Sequence, residues 1–245
     1  AMPYYDFLEK LIPEGKRRAR EEMGLVHPSL KDKSCRGLLF SVSALGNGYL
    51  YGEYWQQTMD APFNVPLFSW YYEYTGDREF LRKRAYPFIR ECGDFYEDYL
   101  EKETLDSTYR YNILTGGHEG SWDLNPPSDL AFVEQTFRLL LRYSEILGVD
   151  ENRRALWKDI VTHLPSYKVI MPTKTPNQGL PVYAKNEAGW DLPAHVIQLH
   201  PVYPCELLNL HSDSTALQLA RNTLYYYAVD QQGFTETMNE LGLSA

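Results

Sequence analysis

Helical segments that come in pairs dominate the sequence. The first pair begins with a strongly apolar segment, Phe63–Tyr74, which ends at Thr75-Gly76-Asp77. Glycine often follows the last residue of a helix and aspartate often caps the next one, so we expect Asp77 to open a second helix that runs to about Lys102. Two helices with so short a turn between them form an antiparallel hairpin.

A second helical hairpin follows further along the chain. We expect Ser128 or Asp129 to cap its first helix, whose apolar residues recur at helical spacing up to Gly148. The partner helix covers Asn152–Leu164. Because no convincing alternating strand is present, the sequence predicts an all-α protein built from helical hairpins. Further helices are expected at Tyr4–Met23, at Ser212–Val229 and from about Thr235.

Long loops connect these helices at their other ends. Three loops of roughly 20 to 40 residues span Leu25–Asp60, Thr104–Pro127 and Pro165–Pro204. Loops of that length inside a compact domain are usually functional, so a site is expected on the long-loop side of the helices. The loops concentrate titratable and aromatic residues, which are His118, Glu119, Asp123, Glu187, Trp190, Asp191, His195 and His200.

The composition disfavours several classes of function. The chain has 33 Asp and Glu against 24 Lys and Arg, and this net charge of −9 disfavours binding to nucleic acid and to anionic membrane surfaces. No apolar run approaches the ~18 residues that a membrane span needs. Aromatic residues make up 14% of the chain, and flat aromatic rings suit the stacking of sugar faces.

The sequence carries no recognisable metal or cofactor motif. Cys35, Cys92 and Cys205 lie too far apart for a zinc knuckle or a disulfide framework. His195 and His200 lack the spacing of a zinc site, and glycine-rich phosphate loops are missing. We therefore expect neither a metal nor a cofactor.

Other residues favour a structural interpretation. Arg17 and Arg18 are expected on a solvated helix face, whereas Trp70 and Trp157 are expected in the core. The run Tyr225–Tyr227 covers nearly a full helix turn. Part of it must therefore face solvent, a ligand or another protein surface.

Several of these segments resemble one family of glycosidases. Tyr74–Leu81, with Tyr86-Pro87-Phe88 after it, resembles a helix-pair junction of the (α/α)6-toroid glycosidases. Ser144–Asp150 and His163–Pro165 resemble the next hairpin of the six-hairpin family that includes α-L-fucosidases, glycoside hydrolase family 95. A His-rich loop of that family matches here at His195, Leu199, Tyr203 and Pro204 and differs at Pro193 and Gln198.

This resemblance covers roughly Pro62 to Thr223 and implies an (α/α)6-type toroid. A closed toroid has twelve helices and needs roughly 350 residues, whereas this chain has room for about seven helices. We therefore expect residues 1–245 to form a single α-helical domain that is part of a larger glycosidase catalytic domain. Self-association or the remainder of the barrel would then cover its exposed helix faces. The resemblance also implies a periplasmic or extracellular protein.

The resemblance further implies acid-assisted hydrolysis of a glycosidic bond. The family's proton donor corresponds to Glu119, within Gly116–Trp122, and Asp191 is the leading candidate for the second carboxylate. Inversion needs the two carboxyl groups roughly 6.5–9.5 Å apart, and retention needs them nearer 5 Å. The residues expected to contact the sugar are His195, Trp122, Trp190, His118, Glu187, Trp55 and His200.

Two alternatives from other classes stay open at this point. The family's water-positioning Asn-x-Asn motif is absent from the sequence, which favours a non-catalytic carbohydrate-binding or scaffold module. A plain helical interaction domain would follow if Glu119 and Asp191 pointed away from each other. The sugar, the linkage, the stereochemistry and the oligomeric state are left open.

Overall fold

Helices form the framework of the protein. The computed structural model describes residues 2–51, 57–115, 122–173, 179–189 and 196–229. A π-helical turn at Leu81–Ala85 joins two of its helices into one continuous stretch. The all-α prediction is confirmed, and the helix expected near Thr235 lies outside the described residues. The helices are α1 (Met2–Glu21), α2 (Met23–Val26), α3 (Val65–Thr75), α4 (Arg78–Phe80), α5 (Tyr86–Tyr99), α6 (Pro127–Leu147), α7 (Arg154–Thr162) and α8 (Ser214–Val229).

The helix ends follow their local sequence in most places. Gly76 and Gly148 adopt left-handed backbone at the ends of α3 and α6, with φ of 67° and 68°. The carboxylate of Asp77 accepts the backbone N–H groups of Glu79 and Phe80 at 3.0 and 2.9 Å, which confirms the predicted cap. These three residues define the two helical hairpins.

The predicted cap of α6 is wrong. The residue before the helix is Pro126, and Ser128 and Asp129 both lie inside the first turn. Their side chains are buried, and the carboxylate of Asp129 accepts hydrogen bonds from other elements. Asp129 therefore binds side chains of other segments instead of capping its own helix, as its residue type had indicated.

The largest core cluster lies among α1, α3, α5, α6 and α7. The Leu140 side chain packs directly on Gly93, where an added Cβ would lie 2.4 Å from Leu140 Cδ1, so glycine permits the close approach of α5 and α6. Trp157 is fully buried, as predicted, and its indole N–H donates to Glu97 at 2.6 Å.

Two of the structural predictions are corrected. Arg18 is fully buried, because its guanidinium reaches the Leu39 carbonyl at 3.1 Å and pairs with Glu22 at 3.2 Å. Trp70 is only half-buried and stacks on Tyr203, with ring centres 6.0 Å apart. Each side chain contacts a residue that is distant in the sequence, Leu39 for Arg18 and Tyr203 for Trp70. Helical spacing cannot show such contacts.

Short strand pairs lie inside the long loops. They escape detection in the sequence because two to four residues are too few to show alternation. Each pair is antiparallel, and within one of them Thr115 pairs with Asp123. The pairs are β1 (Ser43–Ala44) with β2 (Leu50–Tyr51), β3 (Glu101–Thr104) with β4 (Tyr109–Asn112), β5 (Leu114–Thr115) with β6 (Asp123–Leu124) and β7 (Val169–Ile170) with β8 (Val182–Tyr183).

The last described helix keeps an open apolar side. Tyr226 and Tyr227 are buried whereas Tyr225 is 54% exposed, which confirms that the tyrosine run is split between core and surface. Beside α8 lies an apolar groove of about 930 Å³, and Leu210 on its wall is 91% exposed. That another protein surface covers this groove stays a prediction.

Among the described helices, none has both the length and the apolar character needed to traverse a bilayer.

Candidate functional site

Buried polar side chains from three long loops and from α6 contact one another. Each of them is at most 2% exposed. Charged and polar groups are rarely buried so completely unless they are paired, so their contacts specify how the loop ends are arranged. We call this group the loop-root cluster; its members are Thr58, Thr115, Asp123, Asp129 and Lys185.

Asp129 holds two of the loop ends together. Its carboxylate accepts the hydroxyls of Thr58 at 3.0 Å, Thr115 at 3.1 Å and Ser128 at 2.8 Å. Burial raises the pKa of Asp129 to about 6, and the three hydroxyl donors oppose that rise. Thr58 ends the loop that contains Trp55, and Thr115 begins the loop that contains Glu119, so the two loops share one anchor.

Asp123 ties the third loop to the second. Its Oδ2 lies 3.3 Å from the Lys185 ammonium, and its Oδ1 accepts the Asn186 amide at 2.6 Å. The backbone N–H of Glu187 donates to the Leu124 carbonyl at 2.9 Å. The segment that leads into Trp190 and Asp191 is therefore fixed against β6, next to the end of the Glu119 loop.

The two ends of the Glu119 loop are themselves paired. Leu114 faces Leu124 and Thr115 faces Asp123 in the β5–β6 ladder, and residues 116–121 connect these strands. Six predicted site residues lie outside the described residues. They are Glu119, Asp191, His195, His118, Trp190 and Trp55. The distance between the two predicted catalytic carboxyl groups, on Glu119 and Asp191, therefore stays untested.

Trp122 lies at the end of the Glu119 loop. Its indole N–H donates to the Val26 carbonyl at 2.8 Å, and its ring meets His27 edge-on at 4.7 Å. The side chain remains 52% exposed. Contact between Trp122 and a sugar stays a prediction. The exposed ring of Trp122 is accessible for such a contact.

Glu187 is a paired carboxylate. It accepts hydrogen bonds from the Asn125 amide and lies 2.8 Å from the Arg110 guanidinium, which also pairs with Glu103 at 2.6 Å. Arg110, Asn125 and Glu187 line a polar cleft of about 380 Å³ together with Lys168. The predicted contact of Glu187 with a sugar is untested.

His200 lies against aromatic rings. Its ring centre is 6.0 Å from that of Phe63 and 5.3 Å from that of Phe132, both edge-on. Burial lowers the pKa of His200 to about 4, so the ring is neutral at pH 7. Its contact with substrate, predicted from sequence, is untested, and such a contact would involve a neutral imidazole.

Asp60 is a candidate site residue that the sequence reasoning missed. Its Oδ2 is buried without a hydrogen-bond partner in the described part of the chain. Desolvation first, and then the nearby Asp129 carboxylate, raise the pKa of Asp60 to about 8, while Arg18 opposes the rise. Such a perturbed acid beside loop ends is a candidate for function. Its only signal in the sequence is a lone acid among Met59, Ala61 and Pro62.

Replacing Asp60 with asparagine should stabilise the protein at alkaline pH. The folded-state pKa, about 8, lies above the ordinary value of 3.8, so the folded protein keeps a proton that the unfolded chain loses. Burial of Asp60 is therefore least costly below pH 4, and stability falls as the pH rises toward 8. The Asp60→Asn variant, which resembles the neutral acid, should gain up to about 5 kcal/mol over the wild type at pH 9.

Urea unfolding of both proteins between pH 4 and pH 9 measures this difference. The curves of stability against pH should converge near pH 4 and separate on the alkaline side. Asp106, an exposed acid in the turn between β3 and β4, supplies the control Asp106→Asn, whose curve should follow the wild type. Parallel curves for wild type and Asp60→Asn would show that Asp60 is ionised in the folded state.

Two comparisons place the chain among known proteins. The family model of the glycosyl hydrolase family 95 catalytic domain matches residues 1–241. Alpha-L-fucosidase 2 of Arabidopsis thaliana is 26% identical in an alignment that covers 60% of this chain and 18% of that protein. The aligned region is thus less than a fifth of that relative's length. The helical framework agrees with the toroid expected of this family. The chain belongs to glycosyl hydrolase family 95, through its catalytic domain.

Proposed function

We propose that the protein hydrolyses a glycosidic bond with Glu119 as the general acid. The observation that carries this proposal is the convergence of the three loops. Thr115 and Asp123, which flank residues 116–121, contact Thr58, near the end of the first loop, and Lys185 and Asn186, in the middle of the third. The loop-root cluster therefore holds three loops in fixed positions relative to one another. A preorganised site requires such an arrangement.

Glu119 would donate its proton to the leaving oxygen as the glycosidic bond breaks. Asp191 would stay ionised and activate a water on the opposite face of the ring, as an inverting enzyme requires. Gly116, Gly117 and Gly120, which have no side chains, would permit a sugar to approach the acid closely. Trp122, at the end of the same loop, would provide the apolar wall that keeps a carboxyl group protonated near neutral pH.

The substrate class that best fits is a neutral sugar similar to an α-L-fucoside. The relative named alpha-L-fucosidase 2 supports this class. His195, His118 and Trp190 would contact the hydroxyls and the apolar face of the ring, since imidazole and indole groups supply hydrogen bonds and flat surfaces. Trp55 would add a further platform from the first loop.

A non-catalytic carbohydrate-binding role is the second candidate. The observation that favours it is the absence of an Asn-x-Asn motif from the sequence. Under this alternative the aromatic loops would bind sugar while no group positions the attacking water. The two candidates predict the same binding and differ in turnover.

Turnover with aryl glycosides separates the two candidates. The purified 245-residue chain would be incubated with 4-nitrophenyl α-L-fucoside and with the corresponding α-galactoside and β-galactoside. Hydrolysis supports the enzyme, and proton NMR of the first sugar anomer released distinguishes inversion from retention. Saturable binding of free L-fucose without release of nitrophenol would identify the binding module.

A further inference from the structure

Asn47 and Gly48 lie at the tip of the hairpin that joins β1 to β2. The backbone N–H of Gly48 donates to the Leu45 carbonyl at 2.9 Å, and the N–H of Leu45 donates to the Tyr49 carbonyl at 2.8 Å. These two bonds close a three-residue loop over residues 46–48, a common hairpin connection whose last residue has left-handed backbone. Gly48 occupies that position with φ of 93°, so the turn places Asn47 directly before a glycine.

The fold requires glycine at position 48 for two reasons. A left-handed φ strains any residue that carries a Cβ, and a Cβ here would lie 2.8 Å from the backbone carbonyl oxygen of Lys10 in α1. The hairpin therefore packs too closely on α1 to accept a larger residue at this position. Asn47 is also the one asparagine in the sequence that is followed by glycine. The Asn-Gly pair is thus a consequence of how this turn is built.

The exposed side chain of Asn47 folds back on its own main chain. Its Oδ1 accepts the backbone N–H of Tyr49 at 3.2 Å. This hydrogen bond closes a ring of atoms that contains both Cγ of Asn47 and the backbone nitrogen of Gly48. It also draws electron density from the side-chain carbonyl, which makes Cγ more electrophilic. Because Gly48 has no side chain, nothing on that residue shields Cγ from attack by the Gly48 nitrogen.

We propose that Asn47 is a site of covalent modification, at which the folded protein deamidates through a cyclic imide. Hydroxide removes the Gly48 amide proton, and the Gly48 nitrogen then attacks Cγ of Asn47. The new N–Cγ bond forms as the Cγ–Nδ2 bond breaks, and Nδ2 leaves as ammonia with a proton from water, which regenerates hydroxide. Water then opens the imide at either carbonyl, and the products are aspartate and isoaspartate. The bond from Gly48 to Leu45 opens first, as the local fluctuations of an exposed turn allow.

Isoaspartate changes the hairpin more than aspartate does. It routes the main chain through the former side chain and adds one backbone carbon to the turn. The loop that Leu45 and Tyr49 close therefore cannot keep its geometry. Since β2 leads directly into residues 52–56, the modification acts on the first long loop, which contains Trp55. This holds whether or not the protein hydrolyses glycosides.

Peptide mapping by mass spectrometry measures the reaction at each asparagine, because replacement of the amide NH2 by OH raises the peptide mass. The purified full chain would be incubated in native buffer at pH 6 and at pH 9. Asn209 is the matched internal control, since it is exposed and its Oδ1 accepts the N–H of His211 at 2.9 Å, but Leu210 follows it. We expect Asn47 to react at least tenfold faster than Asn209, and faster at pH 9 than at pH 6.

The variant Asn47→Ser provides the second control, because serine keeps an acceptor for the Tyr49 N–H but has no amide to lose. Its peptide should keep its mass throughout the incubation. Equal rates at Asn47 and Asn209 in the wild type would overturn the proposal. Reaction of Asn47 only after unfolding in urea would overturn it as well, since the fold would then protect the turn. Aspartate as the sole product, without isoaspartate, would show direct hydrolysis of the amide in place of the imide route.

Discussion

Replacing Glu119 with glutamine should lower kcat for a natural glycoside by about 10²- to 10⁴-fold, since that is the usual contribution of a general acid. Glutamine keeps the size of the side chain and removes the transferable proton. The loss should be much smaller for a substrate with a good leaving group, such as a 2,4-dinitrophenyl glycoside, which departs without protonation. The alkaline limb of the pH profile, which reports ionisation of the acid, should disappear in the variant.

Glu145→Gln provides the control for this measurement. Glu145 is exposed on α6, near the end of the helix hairpin that points away from the long loops, and its replacement should leave kcat and the pH profile unchanged. If Glu119→Gln slows activated and unactivated substrates equally, Glu119 has a different role. If it retains full activity on both, the acid lies elsewhere.

Replacing Asp123 with alanine should destabilise the protein by about 3–5 kcal/mol, because it removes one member of a buried ion pair. Asp123 and Lys185 are 1% and 2% exposed, and they lie 3.3 Å apart. Equilibrium unfolding in urea measures the loss. A large decrease in activity should accompany it, since Asp123 also connects the ends of two loops.

A double-mutant cycle separates this ion pair from general damage to the core. The variant that combines Asp123→Ala with Lys185→Met should recover much of the lost stability, because methionine removes the buried charge. Glu79→Ala supplies the contrast, since Glu79 and Lys83 form an exposed pair on the first hairpin and should contribute under about 1 kcal/mol. Additive losses in the cycle would contradict a direct coupling of Asp123 with Lys185.

The helical framework was predictable because its signals are local. Gly76, Asp77 and Gly148 act within one turn of the chain, so their meaning does not depend on distant residues. The prediction failed at Asp129, whose residue type indicates a helix cap while its partners Thr58 and Thr115 lie far away in the sequence. A side chain with several suitable partners cannot be assigned to one of them from its neighbours alone.

The site was predictable only in outline. The length of the loops and their content of acids and tryptophans predict a site on the long-loop side of the helices, but not which parts of the loops meet. That information resides in buried contacts between distant segments, such as Asp123 with Lys185. Arg18 and Asp60 were missed for the same reason, since burial of a charged residue depends on tertiary neighbours.

Anchoring at the loop ends has a consequence for how this protein can change over time. Thr115 and Asp123 flank residues 116–121, so this segment can be exchanged or lengthened while its flanking residues keep their partners. Doubling a loop costs only about 0.6 kcal/mol in closure entropy. Under the proposed function, sugar preference and thermal stability would therefore be separable properties. Loop grafts between positions 116 and 121 would then offer a direct route to new substrates on an unaltered scaffold.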